Sequence, residues 1–173
     1  RLKPVAGSSF VAIMMGQDED KYVIASSAGY GFVTALKNLY CKNKSGKTLL
    51  KLPAGASVLA PQRLADIDSQ YLASISNEGR LLIFPVADLP ELAKGKGNKI
   101  INIPSARVAA KEEFCIAIAI LSEIDNLILH SGKRHLTLKP DDLINFQGER
   151  GRRGQKLPRG FRKVDHTAVQ LKR

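Results

Sequence analysis

The 173-residue sequence contains no tryptophan, only two cysteines and no long hydrophobic run. Cys41 and Cys115 cannot build a disulfide framework, so we expect reduced thiols, as in the cytoplasm. No stretch approaches the roughly 20 consecutive apolar residues that a membrane-spanning helix requires, so no membrane insertion is expected. His130, His135 and His166 have no metal-ligand spacing among themselves or with the cysteines, and no metal site is expected.

Motifs for catalysis are also lacking. The glycine–lysine pairs at residues 46–47 and 95–96 do not have the glycine spacing of a phosphate-binding loop. Asp141 and Asp142 form a lone acidic pair, which favours a helix N-cap and turn over a metal site. We therefore expect this chain to have no enzymatic activity and no cofactor of its own.

Negative charge is scarce and unevenly distributed. The formal net charge is +11 and the pI is about 9.8. Residues 21–65 contain seven Lys or Arg and no acid, residues 66–121 contain six basic and seven acidic residues, and residues 122–173 contain twelve and six. Such an excess predicts a polyanionic partner. A solvated basic surface that serves only solubility is the alternative.

Three glycine-centred turns recur at nearly constant spacing, because Gly29, Gly79 and Gly132 lie 50 and 53 residues apart. Short segments with the alternation typical of strands flank each turn. Glycine also adopts the positive φ that tight hairpin turns need. The sequence therefore predicts three antiparallel hairpins, with strands at residues 22–27 and 32–36, 71–76 and 80–86, and 127–131 and 135–139.

Further elements recur with each hairpin. A predicted strand precedes it, at residues 10–15, 57–60 and 114–121. A basic, glycine-containing loop follows it and leads into a last apolar strand that ends in proline, at residues 49–53, 100–103 and 156–158. Four strands in a period of roughly 50 residues are typical of a propeller blade. A β-sandwich whose strands look alike is the alternative.

The predicted fold is therefore all-β, a propeller-like array of four-stranded blades. The repeats span approximately residues 8–53, 57–104 and 114–160, and residues 161–173 form a closing strand or a tail. Leu2-Lys3-Pro4 resembles residues 51–53, so we expect the chain to start inside an earlier repeat. The set of blades is then incomplete, with about three to four present.

The lysines and arginines of each repeat concentrate near the loop before the last strand. Repeats that fold alike would bring these loops to one rim, where Lys and Arg can bind phosphates without reading base sequence. The few aromatic residues lie mostly inside strand patterns, which favours duplex over single-stranded nucleic acid. The candidate phosphate contacts are Lys42, Lys44, Lys47, Lys94, Lys96, Lys99, Lys133, Arg134, Arg150, Arg152, Arg153, Lys156, Arg159, Arg162 and Lys163.

The central copy, NEGRLLIFPVADLPELAKGKGNKIINIP, resembles the blades of the C-terminal β-pinwheel domains of bacterial type IIA topoisomerase A subunits. It is more similar to the A subunit of DNA topoisomerase IV (ParC) than to that of gyrase, and the resemblance covers essentially the whole chain. Gyrase A subunits carry the heptad Gln-Arg-Arg-Gly-Gly-Lys-Gly. Here Arg152-Arg153-Gly154 matches its core, whereas Gly151 replaces the leading Gln and residues 155–157 replace Gly-Lys-Gly. This departure argues against gyrase-like DNA wrapping.

The resemblance implies a non-catalytic domain that binds and bends duplex DNA through a basic rim, in a fold whose neighbouring blades exchange strands. It would guide strand passage, decatenation and supercoil relaxation during chromosome segregation, in the cytoplasm and on the nucleoid. The parent enzyme would be an ATP-dependent type II topoisomerase that binds Mg²⁺ and ATP elsewhere and contains the B subunit together with a second A subunit. Tyr22, Tyr30, Tyr40 and Tyr71 lie within the repeats and lack the context of the active-site tyrosine.

The sequence leaves two alternatives open. One is a propeller-like protein-interaction module that docks a bacterial condensin or another partner, with the charge-balanced central copy as its contact surface. The other is an RNA-binding β domain of the translation apparatus, which fits the charge but not the period.

Overall fold

The computed structural model describes residues 6–172, so residues 1–5, including the Leu2-Lys3-Pro4 segment, and residue 173 lie outside the described part. Strands dominate, and the all-β prediction is confirmed. Within residues 6–172, no helix is both long enough and apolar enough to cross a membrane. The strands are β1 (Lys21–Ser26), β2 (Tyr30–Ala35), β3 (Gln62–Arg63), β4 (Tyr71–Ser76), β5 (Arg80–Pro85), β6 (Asn98–Lys99), β7 (Cys115–Leu121), β8 (Asn126–Ser131), β9 (Arg134–Leu138), β10 (Gln155–Lys156) and β11 (His166–Gln170).

The three predicted hairpins are confirmed. Strands β1 and β2, β4 and β5, and β8 and β9 pair in antiparallel register. Gly29, Gly79 and Gly132 close the turns at φ of +79°, +69° and +58°, in the region that favours glycine. Each hairpin belongs to a separate sheet, so the structure contains three blades within the described residues.

The outer strands of a blade come from the next repeat along the chain. The sheet orders are β3-β1-β2-β6, β10-β5-β4-β7 and β11-β8-β9. The first sheet therefore combines the first hairpin with β3 and β6, which belong to the second sequence repeat. The second sheet likewise takes β7 and β10 from the third repeat. Assigning the four strands of one sequence period to one blade was wrong, because the blade and the sequence repeat are offset.

This offset explains why residues 10–15 form no strand, contrary to the prediction. A strand that precedes a hairpin pairs with the hairpin before it, and the described residues contain no hairpin before β1. Several side chains of this segment are consequently exposed, and Ile13 is 86% exposed. The strand predicted at residues 57–60 is reduced to a single bridge between Val58 and Ser26. The predicted strand at residues 114–121 is confirmed as β7.

The predicted last strands are shorter than expected or displaced. The segment at residues 49–53 contributes only a parallel bridge between Leu50 and Gly95. In the second repeat the strand is β6, which precedes residues 100–103. Ile100 and Ile101 leave the sheet because they are fully buried in the core between blades. Apolar residues there signal inter-blade packing and not a strand.

The helical elements are short. Helix α1 (Ser105–Ala109) occupies the segment between the second and third repeats, and helix α2 (Pro140–Leu143) follows β9. Residues Leu36–Leu39, Val86–Asp88 and Ile144–Phe146 form 3-10 turns. The sequence predicted an N-cap role for the Asp141–Asp142 pair, but neither residue is the N-cap of α2. Lys139 is the N-cap, and the carboxylate of Asp142, at the third helical position, accepts a hydrogen bond of 3.0 Å from the Lys139 backbone N–H.

The middle blade is buried on both faces, because it lies between the other two. Leu82 and Phe84 on β5 point into the cluster shared with the first blade, whereas Leu81 and Ile83 point into the cluster shared with the third. The alternation of side chains along a strand sends neighbours to opposite faces. Two separate apolar cores therefore hold the blades side by side and fix the position of the loops at their edge.

Candidate nucleic-acid interface

We name three segments the first basic loop (residues 41–47), the second basic loop (residues 92–97) and the third basic loop (residues 148–154). The second and third occupy equivalent places on successive blades. Each begins beside a parallel bridge to the preceding hairpin, between Val33 and Glu91 in one case and between Ile83 and Gln147 in the other. Each ends in a two-residue strand on that hairpin, β6 against β2 and β10 against β5.

Hydrogen bonds link the ends of the first and second repeats to the basic loop that follows each of them. The Lys51 backbone N–H donates to the carbonyl of Gly95 in the second basic loop, at 2.9 Å. One repeat later, the Asn102 N–H donates to the carbonyl of Arg152 in the third basic loop, also at 2.9 Å. The same contact therefore recurs from blade to blade, and the loops follow one another along one edge of the molecule.

Two glycines allow these loops to cross closely over the preceding blade. A Cβ added at Gly97 would lie 2.2 Å from the Gly31 carbonyl oxygen, and one added at Gly154 would lie 2.7 Å from the Leu81 carbonyl oxygen. Both glycines have φ near +75°. From the sequence, glycines in these loops are expected to let the backbone approach phosphates. The structure shows that Gly97 and Gly154 serve blade packing.

The second basic loop, strand β6 and the third basic loop bring five of the candidate cations together. The Arg150 guanidinium donates to the carbonyl of Lys99 at 2.8 Å, and the Gly151 N–H donates to the carbonyl of Ile100 at 2.9 Å. These contacts place the third loop beside β6. The resulting group is called the junction cluster and consists of Lys96, Lys99, Arg150, Arg152 and Arg153.

One aromatic ring organises the two lysines of the junction cluster. The Lys96 ammonium lies 3.9 Å from the ring centroid of Tyr30, and the Lys99 ammonium lies 5.8 Å from it. Lys99 also donates to the Asn102 side-chain oxygen at 3.1 Å. A cation over an aromatic face is stabilised by about 0.5–1 kcal/mol at exposed sites. Sequence reasoning missed Tyr30, because 66 residues separate it from Lys96.

These side chains line an open cleft of about 460 Å³, here called the Tyr30 cleft. The rest of its lining is mainly small apolar residues from the segments before and within α1. None of the described residues that line it is acidic. A cleft whose only charges are positive and held near one ring is suited to bind an anion such as a phosphate.

The three arginines of the junction cluster differ in how much of their charge is available. Arg152 is 72% exposed and pairs at 2.8 Å with Glu149, which is equally exposed. Arg153 is 33% exposed and pairs at 2.6 Å with Glu113, which is completely buried. Arg150 is partly buried, and its guanidinium donates to the carbonyl of Lys99. The sequence could not distinguish these states, since the partners lie up to 51 residues away.

A second set of candidate cations lies at the third blade. Arg159, Arg162 and Lys163 line an open depression of about 510 Å³ together with Ser131 and Gly160. The backbone of this segment packs on the middle blade, because a Cβ at Gly79 would lie 2.5 Å from the Arg162 Cα. Of the remaining candidates, Lys133 and Arg134 are exposed at the β8–β9 turn, and Lys156 is exposed on β10 opposite Arg80.

The candidates of the first basic loop remain apart from these groups. Lys42 and Lys44 are exposed in a segment without strand structure, and Lys94 is exposed in the second basic loop. The Lys47 ammonium donates to the backbone carbonyl of Asn38 and so folds back on its own blade. In the part of the chain that the structure describes, no cluster of three or more His, Cys, Asp or Glu is arranged to hold a metal ion.

Known proteins share this sequence pattern and this architecture. A family profile described as "DNA gyrase C-terminal domain, beta-propeller" matches residues 20–64 and 70–122, more than half of the chain. The chain is 52% identical over 171 residues to the A subunit of DNA topoisomerase 4 of Pseudomonas aeruginosa and 43% identical over 167 residues to that of Escherichia coli K12. These alignments cover 99% and 96% of this chain but only 23% and 22% of the relatives, so the chain spans less than a quarter of their length.

Solved structures support the same assignment. The E. coli ParC C-terminal domain superposes with a TM-score of 0.90 at 42% identity, over 98% of this chain and 68% of that one. A DNA gyrase A C-terminal domain superposes with a TM-score of 0.63 at 17% identity, over 98% of this chain and 58% of that one, and shows the shared fold alone. The resemblance inferred from the sequence is confirmed: the chain belongs to the DNA gyrase C-terminal domain, beta-propeller, family, together with the E. coli ParC C-terminal domain.

Proposed function

We propose that this chain is the non-catalytic DNA-binding part of the A subunit of a topoisomerase IV and that it holds duplex DNA along the edge formed by its basic loops. The observation that carries the proposal is the Tyr30 cleft, where Lys96 and Lys99 converge on one ring and no acidic residue lines the site. The net charge of +11 supplies the long-range attraction for a polyanion.

Exposed cations on the successive loops would each neutralise a DNA phosphate and release counterions. A duplex that follows these loops from blade to blade would bend around the edge, because the second and third basic loops occupy equivalent places on successive blades. Bending of this kind would guide strand passage, decatenation and supercoil relaxation in the parent enzyme. The proposed contacts are Lys42, Lys44, Lys94, Lys96, Lys99, Lys133, Arg134, Arg152, Lys156, Arg159, Arg162 and Lys163.

The parent assembly is part of the same proposal. The relatives are named as subunits of DNA topoisomerase 4, and this chain corresponds to less than a quarter of their length. We infer that the parent protein is one of two A subunits that work with the B subunit on the nucleoid, with ATP and Mg²⁺ bound outside this chain. Docking of a bacterial condensin stays a prediction, since no contact or surface described above favours it.

Salt-dependent binding of a short duplex tests the proposal. The variant Lys96→Ala, Lys99→Ala, Arg152→Ala should weaken binding equally for unrelated sequences. The slope of log K against log salt should become shallower by roughly 0.9 for each lost contact. A matched variant, Lys21→Ala, Lys37→Ala, Arg63→Ala, removes the same charge from cations outside the basic loops, which pair with Glu91, Glu19 and Asp20. Equal losses in the two variants would reduce the effect to net charge and contradict the proposed site.

Tyr30 provides a finer test of the Tyr30 cleft. Tyr30→Phe keeps the aromatic face that holds the two lysines and should bind DNA like the parent. Tyr30→Leu removes the face and should weaken binding about two- to fivefold, which corresponds to the loss of roughly 0.5–1 kcal/mol. Binding that is unchanged in Tyr30→Leu would mean that the ring does not organise the site. Competition by double-stranded RNA in the same assay separates the proposal from the RNA-binding alternative.

A further inference from the structure

Glu113 is a completely buried carboxylate at the base of the third basic loop. One of its oxygens, Oε2, accepts hydrogen bonds from the guanidinium groups of Arg153 at 2.6 Å and Arg107 at 2.9 Å. The other, Oε1, is buried and has no hydrogen-bond partner among the described residues. The carboxylate lies between helix α1, which contains Arg107, and the third basic loop, which contains Arg153.

The neighbouring arginines of this loop face opposite situations. Arg152 pairs with an exposed carboxylate, and such surface pairs contribute little and exchange readily with solvent. Arg153 is held by Glu113 and, through its other terminal nitrogen, by the Asn102 carbonyl at 2.9 Å. To reach a DNA phosphate, Arg153 would have to leave a buried carboxylate that would keep only Arg107 as its ionic partner, and weakening the compensation of a buried charge is unfavourable.

We propose that Glu113 is a positioning residue that withholds Arg153 from DNA, so that Arg152 alone of these two arginines contacts a phosphate. The inference rests on the proposed DNA-binding function and adds that the positive charge of Arg153 does not contact DNA. Sequence alone suggests the contrary, since both arginines belong to the Arg-Arg-Gly segment that matches the gyrase heptad.

The path of the third basic loop does not depend on Glu113. The loop is also fixed by Arg150 on the Lys99 carbonyl, by the Arg152 carbonyl that accepts from Asn102, and by Arg80, which donates to the Gly154 carbonyl at 3.1 Å. In Glu113→Gln, the amide oxygen can take the place of Oε2, and the amide nitrogen can take the place of Oε1. The substitution therefore removes the charge that neutralises Arg153 and leaves the loop anchored.

The test is a double-mutant cycle on salt-dependent duplex binding by the parent, Glu113→Gln, Arg153→Gln and the double variant. Glu113→Gln should steepen the log–log salt slope by about 0.9 and strengthen binding about eightfold at 0.1 M salt, as one additional phosphate contact does. Arg153→Gln should keep the parent slope, and the double variant should return to it. The assignment to Arg153 would be overturned if Glu113→Gln bound DNA no more tightly than the parent. It would also be overturned if the salt slope of the double variant were as steep as that of Glu113→Gln.

A matched control separates release of Arg153 from the gain in net charge. Glu149→Gln removes the same charge, here from the third basic loop itself, but its partner Arg152 is already exposed. The slope should therefore change less in Glu149→Gln than in Glu113→Gln, and equal changes would overturn the proposal. If circular dichroism shows that Glu113→Gln does not fold, the salt slope of duplex binding by Arg153→Gln tests the proposal instead. A slope equal to that of the parent supports the proposal, and a slope shallower by about 0.9 overturns it.

A measurement without DNA tests the pairing itself. An arginine-specific dicarbonyl reagent, read by mass spectrometry, should modify Arg152 much faster than Arg153 in the parent, and Glu113→Gln should accelerate the modification of Arg153 but not that of Arg152. Similar rates for both arginines in the parent would overturn the proposal. If the parent binds no duplex but this rate difference is found, the proposed function fails while the pairing of Glu113 with Arg153 stands.

Discussion

Alanine at Gly97 should destabilise the chain far more than alanine at Gly46, although the two glycines are equivalent in the repeat. Gly46 opens GKTLLKLP and Gly97 opens GNKIINIP, and their φ angles are +79° and +78°. Their surroundings differ. A Cβ at Gly97 would lie 2.2 Å from the Gly31 carbonyl oxygen on β2, whereas nothing lies within 4 Å of a Cβ at Gly46. Gly97 must also keep the second basic loop on the first blade.

The two costs can be separated by their origin. A non-glycine residue in the left-handed region costs about 1–2 kcal/mol, and this applies to both positions. Gly97→Ala adds a backbone clash, and overpacking of this kind typically costs a further 1–3 kcal/mol or so. We therefore expect losses in the free energy of unfolding of about 1–2 kcal/mol for Gly46→Ala and about 2–5 kcal/mol for Gly97→Ala.

Urea unfolding followed by far-ultraviolet circular dichroism measures both losses, since the chain has no tryptophan to report by fluorescence. Gly154→Ala is a second test, because its Cβ would lie 2.7 Å from the Leu81 carbonyl oxygen. It should resemble Gly97→Ala. Equal losses at Gly46 and Gly97 would refute the view that these glycines exist for the crossing of one blade by the next.

Three further outcomes follow from burial. Leu82→Ala and Ile83→Ala should each lower the free energy of unfolding by about 2–5 kcal/mol, because both are buried in different inter-blade clusters; a near-zero loss at either contradicts that packing. Burial alone would raise the pKa of Asp125, but backbone N–H donors hold it below its usual value. The stability that ionised Asp125 contributes is thus present above pH of about 4 and is lost as the pH falls through the lowered pKa. On acidification, the urea midpoint of Asp125→Asn should therefore fall less than that of the parent. Burial raises the pKa of the Cys115 thiol to about 12, so a thiol reagent at pH 8 should label exposed Cys41 and spare Cys115 until the chain unfolds.

The hairpins could be predicted because their determinants are local. A glycine that tolerates positive φ and two alternating segments specify a turn and its strands within about 15 residues. The partners of the outer strands could not be predicted in this way. Strands β6 and β10 have two residues each, and they pair with hairpins that end 63 and 70 residues earlier in the chain. Nothing in so short a segment identifies its partner.

The apolar residues after β6 show the same limit. Ile100 and Ile101 have the composition of a strand, yet they leave the sheet because burial between two blades is available to them. Only the arrangement of the blades determines whether an apolar segment pairs or packs. Family resemblance supplied the expectation that blades exchange strands, which periodicity could not.

The candidate cations were found by charge, but charge in a sequence does not show which groups are free. Arg152 and Arg153 are adjacent, and their partners Glu149 and Glu113 lie 3 and 40 residues away. The near partner is exposed and the distant one is buried. The organising role of Tyr30 was missed for the same reason, since its two lysines arrive from the next repeat.

The most direct test of DNA binding by the basic loops is the salt dependence of duplex binding by the parent chain. With six to ten phosphates neutralised, log K should fall linearly with log salt with a slope of roughly −5 to −9. The slope should be the same for duplexes of unrelated sequence, and the affinity for a single strand of equal length should be lower. A slope near zero, or preference for the single strand, would contradict binding of the duplex backbone by this surface.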